Sequence, residues 1–501
     1  MRILEISVLP CLCLVLLAAC GGDEPYRAGG QAAREHPLLG RAMESVPREV
    51  PALPTPDGGL AALTVDYPED GSVFPPEFVA PTLLWHDESE AADTWWVHID
   101  FSAPGVEHLD VLVPGAPPPQ GTIDPEAIGK NNEVYRPTAY QASARSWTPS
   151  EALWTTIKAR SREAEATLTI TGLAASAPDR PLSTGRVRLK TSADPVGAPI
   201  FYRDVPLMPA VSVGDAGVIQ PLSQEALPIV AWRLKDVSRT DSKLLLTGMP
   251  SCANCHSFSQ DGKTLGMDVD GPQGDKGAYA VAPVERSMRI EKEHVLTWNS
   301  FPDKPKDHAT IGFLSRVSPD GRYVVSTVNE ELYVANFPDH EILQVFYPTR
   351  GILAWVSTET GEMRALPGAD SKAYVHCDPA WTPDGKTLVF ARGRAKDPYD
   401  PKVPLARYPN DPNETEMRYD LVRMPFDEGR GGPRTLIEGA SDNGMSNTFP
   451  KVSPDSPSRL RTSNHRRYQV SAPLRERCSI HWMMDRTSCF AEEVTFTEKF
   501  I

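Results

Sequence analysis

Four copies of one turn sequence restrict the fold of this chain more than any other feature does. Each of the three complete copies places Pro-Asp-Gly, or a close variant, between two apolar segments, and the fourth copy begins in the same way. The aspartates are Asp261, Asp320, Asp384 and Asp455, so successive copies are 59, 64 and 71 residues apart. Aspartate accepts hydrogen bonds from the backbone that follows it and glycine adopts positive φ, so each copy predicts a turn between two strands. A unit that recurs at this spacing indicates a repeat fold.

The repeat resembles that of TolB-like β-propellers. Complete copies lie at 257–265, 317–325 and 381–390, and a fourth copy begins at Val452. The resemblance covers residues 211–455 and implies one blade for each copy. Unconnected β-hairpins with similar turns are the alternative. The 49 prolines and 35 glycines of the chain also favour turns and short strands over long helices.

Residues 61–210 show a different β pattern. Short segments alternate polar and apolar residues, as at 167–171, which is typical of strands with one face in water. Large side chains for a core come from Trp95, Trp96, Trp147 and Trp154. We expect a β-sandwich of immunoglobulin or fibronectin type. The predicted fold class is therefore mainly β, with this sandwich followed by a TolB-like β-propeller that is incomplete at its C-terminus.

The repeat pattern stops after the fourth aspartate. Ser456 stands where the other copies have glycine, and residues 456–501 contain no glycine, seven arginines and one lysine. We interpret 456–501 as an atypical tail. A change of reading frame and a divergent natural end both explain it. Translation of the neighbouring reading frames of the gene distinguishes the two.

Residues 1–20 have the features of a bacterial lipoprotein signal peptide. Arg2 precedes an apolar stretch that ends in small residues and a cysteine, Leu17–Cys20. We expect cleavage before Cys20 and lipid attachment to its new N-terminus. Gly21, rather than aspartate, follows this cysteine, which in the signals that this one resembles favours the outer membrane, on its periplasmic or surface face. Residues 21–60 are predicted to be a flexible tether.

The charge balance disfavours one class of partner. The chain has 51 Lys and Arg against 66 Asp and Glu, a net charge of −15. A surface of this sign repels phosphate backbones and anionic headgroups. We therefore expect no nucleic-acid partner, and we expect the lipid anchor to hold the protein on its membrane.

The segment Cys252–His256 has the C-x-x-C-H pattern of c-type haem attachment. Two thiols at this spacing can reach the two vinyl groups of one porphyrin, and the adjacent histidine then lies under the iron. We expect Cys252 and Cys255 to bind haem c covalently and His256 to be an axial ligand. A redox disulfide is the main alternative, but such motifs normally open a helix, whereas β patterns surround this one. A zinc site would require a second pair of cysteine or histidine ligands. The other histidines considered, His294, His308 and His376, are scattered along the chain and do not supply such a pair.

The sequence leaves the second axial ligand open. Met267 lies eleven residues after His256 and is a candidate, since a thioether ligand would raise the reduction potential. A role for Met267 as an ordinary core residue of a strand is the alternative. Met249, His294 and His308 are lesser candidates, and a vacant position would let small ligands bind the iron.

The haem motif stands directly before the first repeat turn, on a predicted propeller loop or blade edge. This arrangement resembles bacterial exported TolB-like β-propeller proteins that carry one c-type haem motif, a family without a settled function. We expect a membrane-anchored monohaem cytochrome that exchanges electrons with a protein partner. Two alternatives stay open, a haem-dependent oxidoreductase and a protein-binding or assembly propeller in which the haem is structural or a sensor. No serine-hydrolase elbow, phosphate-binding loop or His-Glu-x-x-His motif occurs in the sequence.

Overall fold

A computed structural model describes residues 59–118, 137, 139–162, 164–197, 199–204, 228, 230–249, 253–336, 344–452 and 460–465. In these residues the protein is mainly β, and its two α-helices are short, Ala139–Ser143 (α1) and Glu151–Arg160 (α2). None of the helices described there is long and apolar enough to cross a bilayer. The predicted signal peptide with Cys20 and the tether up to residue 58 lie outside the described residues, as does most of the tail.

Eight strands form the N-terminal sheet. They are Ala61–Tyr67 (β1), Ser72–Phe74 (β2), Leu83–Asp87 (β3), Thr94–Phe101 (β4), Leu109–Val113 (β5), Arg145–Trp147 (β6), Ala166–Ala174 (β7) and Ala177–Thr191 (β8). Hydrogen bonds join them in the order β5-β4-β7-β8-β1-β3-β6, and β2 pairs with β8. Strand β1 changes partner along its length. Its first residues, Ala61 and Ala62, pair parallel with β8, and the rest pairs antiparallel with β3.

This curled sheet encloses one apolar core. Trp85, Trp95 and Trp154 are 0%, 2% and 3% exposed within it. The predicted core residue Trp96 is instead half-buried on the other face of β4, because successive residues of a strand point to opposite faces. Helix α2 begins after Ser150, whose hydroxyl accepts a hydrogen bond from the backbone N–H of Leu153.

A three-stranded antiparallel sheet follows, made of Ile200–Asp204 (β9), Ala231–Lys235 (β10) and Lys243–Thr247 (β11) in the order β11-β10-β9. Strand β9 precedes residue 210, where the sequence places a domain boundary, yet it pairs with β10 beyond it. Prolines flank this segment at Pro195 and Pro206, and β9 occupies the edge of the sheet.

The repeat region contains three antiparallel meanders of four strands each. The first comprises Ala253–Phe258 (β12), Thr264–Val269 (β13), Ala278–Pro283 (β14) and Val295–Thr297 (β15). The second comprises Phe313–Val317 (β16), Tyr323–Asn336 (β17), Gln344–Ser357 (β18) and Met363–Ala365 (β19). The third comprises Tyr374–Trp381 (β20), Thr387–Arg394 (β21), Tyr419–Pro425 (β22) and Thr435–Leu436 (β23). Ser446–Val452 (β24) and Leu460–His465 (β25) pair antiparallel and begin a fourth.

The predicted turns join the first and second strands of the three meanders. In each turn the aspartate Oδ1 accepts a hydrogen bond from the backbone N–H two residues later, at 3.0 to 3.1 Å. Gly262, Gly321 and Gly385 follow these aspartates with φ of 68°, 75° and 68°. The turn geometry expected from the sequence is therefore confirmed for these three copies. Asp455 of the fourth copy lies outside the described residues.

The first strand of every meander contains one bulge at the same repeat position. The register of pairing shifts there in β12, β16, β20 and β24. The bulged residues are Cys255, Leu314, Asp378 and Phe449, with φ of 49°, 57°, 54° and 49°, and each stands six residues before the aspartate of its repeat. Non-glycine residues rarely adopt this left-handed conformation. Its recurrence shows that the bulge belongs to the repeat and not to one strand.

Apolar cores lie between successive meanders. Tyr279 and Trp298 of the first meet Val324 and Ala354 of the second. Trp355 of the second belongs to a cluster with buried side chains of the third, among them Phe390. The first strand of each meander also contacts the first strand of the next one: β12 contacts β16, β16 contacts β20, and β20 contacts β24. The meanders thus pack against one another with their first strands adjacent, and a parallel bridge between Gly351 and Val375 joins the second and third into one eight-stranded sheet.

Candidate functional site

The candidate haem motif lies on β12, the first strand of the first meander. Cys252 is outside the described residues, whereas Cys255 and His256 occupy the bulge of this strand. The bulge interrupts the alternation of side chains, so these two neighbours contact different parts of the molecule.

Cys255 is enclosed where the first strands meet. Its side chain is 5% exposed and is clustered with Phe313 and Leu314, and Phe449 packs against the same cluster. It forms no disulfide, and its thiol is hydrogen-bonded to the carboxyl group of Asp268 on the neighbouring strand β13. In this packing the thiol cannot be reached from solvent.

Asp268 is a buried carboxyl group next to that thiol. Burial raises its pKa well above the ordinary value, although the charge of Arg316 and the bond from Cys255 act in the opposite direction. Its Oδ1 atom is buried and has no hydrogen-bond partner among the described residues. A neutral carboxyl group is therefore favoured at this position.

His256 points away from that cluster and lies between aromatic rings. Its ring centroid is 4.7 Å from that of Phe201 and 5.9 Å from that of Phe258, and the residue is half-buried. No hydrogen bond joins either ring nitrogen to another described residue. Burial, followed by the positive charges of Arg316, Lys451 and Arg203, lowers the pKa of His256 to about 4. The imidazole is thus held neutral, which is the form that binds metals.

Arg316 connects the motif to the next meander. It lies on β16, and its Nη1 donates a hydrogen bond of 3.0 Å to the backbone oxygen of His256. The Nε1 atom of Trp381 in turn donates to the backbone oxygen of Arg316 at 3.2 Å. The charge of Arg316 also acts on the buried Asp268 and Asp378. One guanidinium group therefore lies among the ionisable groups of three meanders.

Met267, the candidate second axial ligand, is fully buried at 0% exposure in the core beneath β13. The same core includes Met249, and Phe201 and Phe258 pack against it. Met267 therefore lies on the side of the sheet that carries the aromatic neighbours of His256. Its burial is what an ordinary core residue of a strand shows. His294 accepts a hydrogen bond at Nδ1 from the backbone of Glu291, far along the chain from the motif.

A cavity of about 330 Å³ opens beside the motif. Matching segments of all four repeats line it, with these residues at its wall: Ser257, Leu314, Arg316, Asp378, Phe449 and Lys451. Leu314 and Phe449 line the cavity and also pack in the cluster that contains Cys255, and Ser257 directly follows His256. The side chains of Arg316 and Lys451 give the cavity positive charge, and burial raises the pKa of Asp378 to about 6.

The donor chemistry of these residues fits a c-type haem. A neutral imidazole with no hydrogen-bond partner among the described residues, flanked by two aromatic rings, is a suitable axial ligand in an apolar shell. Three cationic side chains act on that imidazole and would complement the carboxylates of a porphyrin. Cys255 supplies a thiol, but its enclosure requires that a thioether form before the strand packs.

The sequence assigned no role at the haem motif to Arg316, Asp268 or Lys451, and Asp268, expected in a solvated acidic loop, is buried. Alignment of the copies on their bulged residues would have found two of them, because Arg316 and Lys451 both stand two positions after the bulge, where the first repeat has Ser257. Asp268 becomes significant only through the pairing of β12 with β13. Comparison with known proteins shows that no protein-family model and no curated protein matches the chain.

Proposed function

We propose that this protein is a membrane-anchored monohaem c-type cytochrome that transfers electrons to or from a protein partner. Cys252 and Cys255 hold the haem and His256 ligates its iron. The state of His256 carries the proposal, because a histidine held neutral and open to a ligand stands at the required place in C-x-x-C-H. When bound, the haem supplies one-electron transfer at its iron.

The surrounding residues have separate tasks in this proposal. Phe201 and Phe258 exclude water from the imidazole and restrict its rotation. Arg316 fixes the backbone at His256 through its hydrogen bond and places positive charge near the site. Positive charge near a haem stabilises the reduced iron and so raises the reduction potential. Met267 is a second axial ligand only if its core opens, since it is fully buried.

The architecture supports a role as a rigid carrier. The packing of successive meanders and the adjacency of their first strands support the predicted TolB-like β-propeller. The partner change of β1 divides the N-terminal sheet into β6-β3-β1 and β5-β4-β7-β8, an arrangement that supports the predicted fibronectin-like sandwich. The cavity at the first strands offers a basic mouth where an acidic surface of a redox partner can dock.

We further propose that lipid on Cys20 tethers the protein to the bacterial outer membrane, facing the periplasm or the surface. The signal pattern of residues 1–20 and the acidic charge of the chain support this location and argue against nucleic acid as a partner.

The decisive experiment is the absorption spectrum of the exported, reduced protein, recorded before and after acid-acetone extraction, which removes non-covalent haem. We expect a c-type spectrum that survives extraction in the wild type. The Cys255→Ala variant should lose the two-thioether spectrum. Correctly processed wild-type protein that is colourless, with both thiols alkylated after unfolding, overturns the proposal.

Addition of carbon monoxide to the reduced protein separates the functional alternatives. A haem that does not react has two protein ligands and supports electron transfer. A haem that binds carbon monoxide has an open position, which favours the oxidoreductase or the sensor.

A further inference from the structure

Two short segments with the same pattern meet on the N-terminal sheet. His98-Ile99-Asp100 lies on β4, and His108-Leu109-Asp110 leads into β5. The strands are antiparallel, and their register places His98 directly opposite Asp110. The pairing thus brings two histidines and two aspartates together at the edge of the sheet, far along the chain from the haem motif.

Three of these side chains present ligand atoms to a common point. The nearest atoms of His98, His108 and Asp110 all lie within 4.8 Å of one another. His98 Nδ1 is 2.7 Å from Asp110 Oδ1, and His108 Nε2 is 3.2 Å from Asp110 Oδ2. Ligands at about 2.0 Å in tetrahedral geometry are about 3.3 Å apart, so the His108–Asp110 distance is already that of two ligands of one ion. Because the His108 side chain is 59% exposed, its rotation can close the remaining gap.

Two further contacts orient these ligands. His98 Nε2 lies 3.0 Å from Asp100 Oδ2, so this nitrogen can donate to the carboxylate while Nδ1 faces the cluster. Trp96 Nε1 donates a hydrogen bond of 2.9 Å to Asp110 Oδ1, which leaves Oδ2 for a ligand. Metal-binding histidines commonly donate their second ring N–H to a carboxylate in this way.

The donor set determines which ions suit the site. Two imidazoles and one carboxylate match borderline divalent transition metals, of which Zn²⁺ is the commonest with this set. Calcium and magnesium prefer ligands made of oxygen alone. Three protein ligands leave a fourth position for water.

We propose that His98, His108 and Asp110 bind a divalent transition-metal ion of the Zn²⁺ class, with Asp100 and Trp96 as positioning residues. The site is independent of the haem motif. It lies at an edge strand and is partly exposed, so the ion can exchange with solution.

The test is equilibrium dialysis of the full processed protein against buffered free Zn²⁺, followed by metal analysis, which haem colour does not disturb. We expect one zinc ion per chain in the wild type. His108→Ala should weaken binding at least 100-fold, and Asp100→Asn should weaken it 10- to 100-fold. Because both altered side chains are largely exposed, the fold should be retained, and circular dichroism verifies this.

A matched control comes from another histidine of the same sheet. His86 pairs with the carboxylate of Asp66 and with the backbone oxygen of Tyr140, but no second histidine joins this group among the described residues. His86→Ala should therefore leave zinc affinity unchanged. Absence of bound zinc in the wild type, or equal affinity in the wild type and His108→Ala, overturns the proposal.

Discussion

The first and third meanders both have a cysteine and a histidine on their first strand and an aspartate next to the cysteine, on β13 in the first and on β20 itself in the third. In the first, Cys255 is hydrogen-bonded to Asp268 and His256 is half-buried. In the third, Cys377 is hydrogen-bonded to its neighbour Asp378, and His376 is 0% exposed. Both thiols are buried, so the cysteines alone do not distinguish the two regions.

The difference lies in the histidines and in the bulge. The bulged residue is the cysteine in the first meander and the aspartate in the third. His256 therefore follows the bulge and turns toward Phe201 and Phe258, whereas His376 precedes it and is sealed against Phe390. Burial lowers the pKa of both imidazoles, but only the first is accessible to a ligand. His256 stands one residue after its bulge and His376 two residues before its own, and this difference in position separates a candidate ligand from a core residue.

The largest expected effect follows from replacing the two cysteines in turn. Cys255→Ala should lower the covalent haem per chain, and the haem that remains should be attached through Cys252 alone, because one of the two thioethers is lost. Cys377→Ala should leave covalent haem unchanged, since that thiol is sealed in another core. Haem content per chain, measured on purified exported protein, checks both variants. Equal losses in the two would show that the measurement follows folding and not attachment.

The aromatic neighbours of the two histidines should differ in their contribution to stability. Phe390 is 0% exposed, so Phe390→Ala should lower the free energy of unfolding by about 3–5 kcal/mol. Phe258 is half-buried at the cavity, and Phe258→Ala should cost less than about 2 kcal/mol. Urea unfolding of both variants measures the difference. A larger loss for Phe258→Ala would contradict the view that the first site is the more open one.

The burial of His376 should make the free energy of unfolding depend on pH in the acid range. Burial, followed by the charges of Arg392 and Arg434, lowers its folded pKa to about 3, below the value of 6.5 for the unfolded chain. The unfolded state therefore takes up the proton first, and this contribution to stability is present above pH 6.5 and is lost as the pH falls. Between pH 6.5 and 4 the loss should be about 3 kcal/mol, at about 1.4 kcal/mol per pKa unit.

The variant His376→Phe should remove this acid-dependent loss. Both ring nitrogens of His376 are buried without a hydrogen-bond partner in the described chain, so stability at pH 7 should be equal or higher. Urea unfolding at pH 7 and pH 4 gives the comparison. An unchanged difference between the two pH values would sink the assignment.

The smallest expected effect concerns Asp378, whose contribution to the free energy of unfolding changes with pH in the direction opposite to that of His376. Burial raises its folded pKa to about 6 from 3.8, so its contribution to stability is present at low pH and is lost as the pH rises through 6. Asp378→Asn cannot ionise, tolerates the left-handed conformation and can still accept the hydrogen bond from the Phe449 N–H. Relative to the wild type, it should gain about 2 kcal/mol between pH 4 and pH 7. If the free energy of unfolding changed equally with pH in the wild type and in Asp378→Asn, the raised pKa of Asp378 would be ruled out.

The sequence predicted features that depend on neighbouring residues. The aspartates and glycines of the turns act within a few positions, so the turns and the mainly β class follow from the local pattern. The orientation of Cys255 and His256 could not be predicted, because it depends on a bulge that only strand pairing reveals. Arg316 reaches the motif across 60 positions of sequence, and no local pattern reports such a contact. The repeated His-x-Asp was visible, but its significance depends on the register of β4 and β5.

The shared bulge has a consequence for exchange between repeats. The pentapeptide at 252–256 corresponds to 311–315, 375–379 and 446–450 in the other copies, and the fourth residue of each has a left-handed φ. If residues 252–256 carry the proposed haem, the same pentapeptide placed in another copy would have its fourth residue at a position that already adopts this left-handed φ. Four copies share this bulge, and one of them has the C-x-x-C-H sequence.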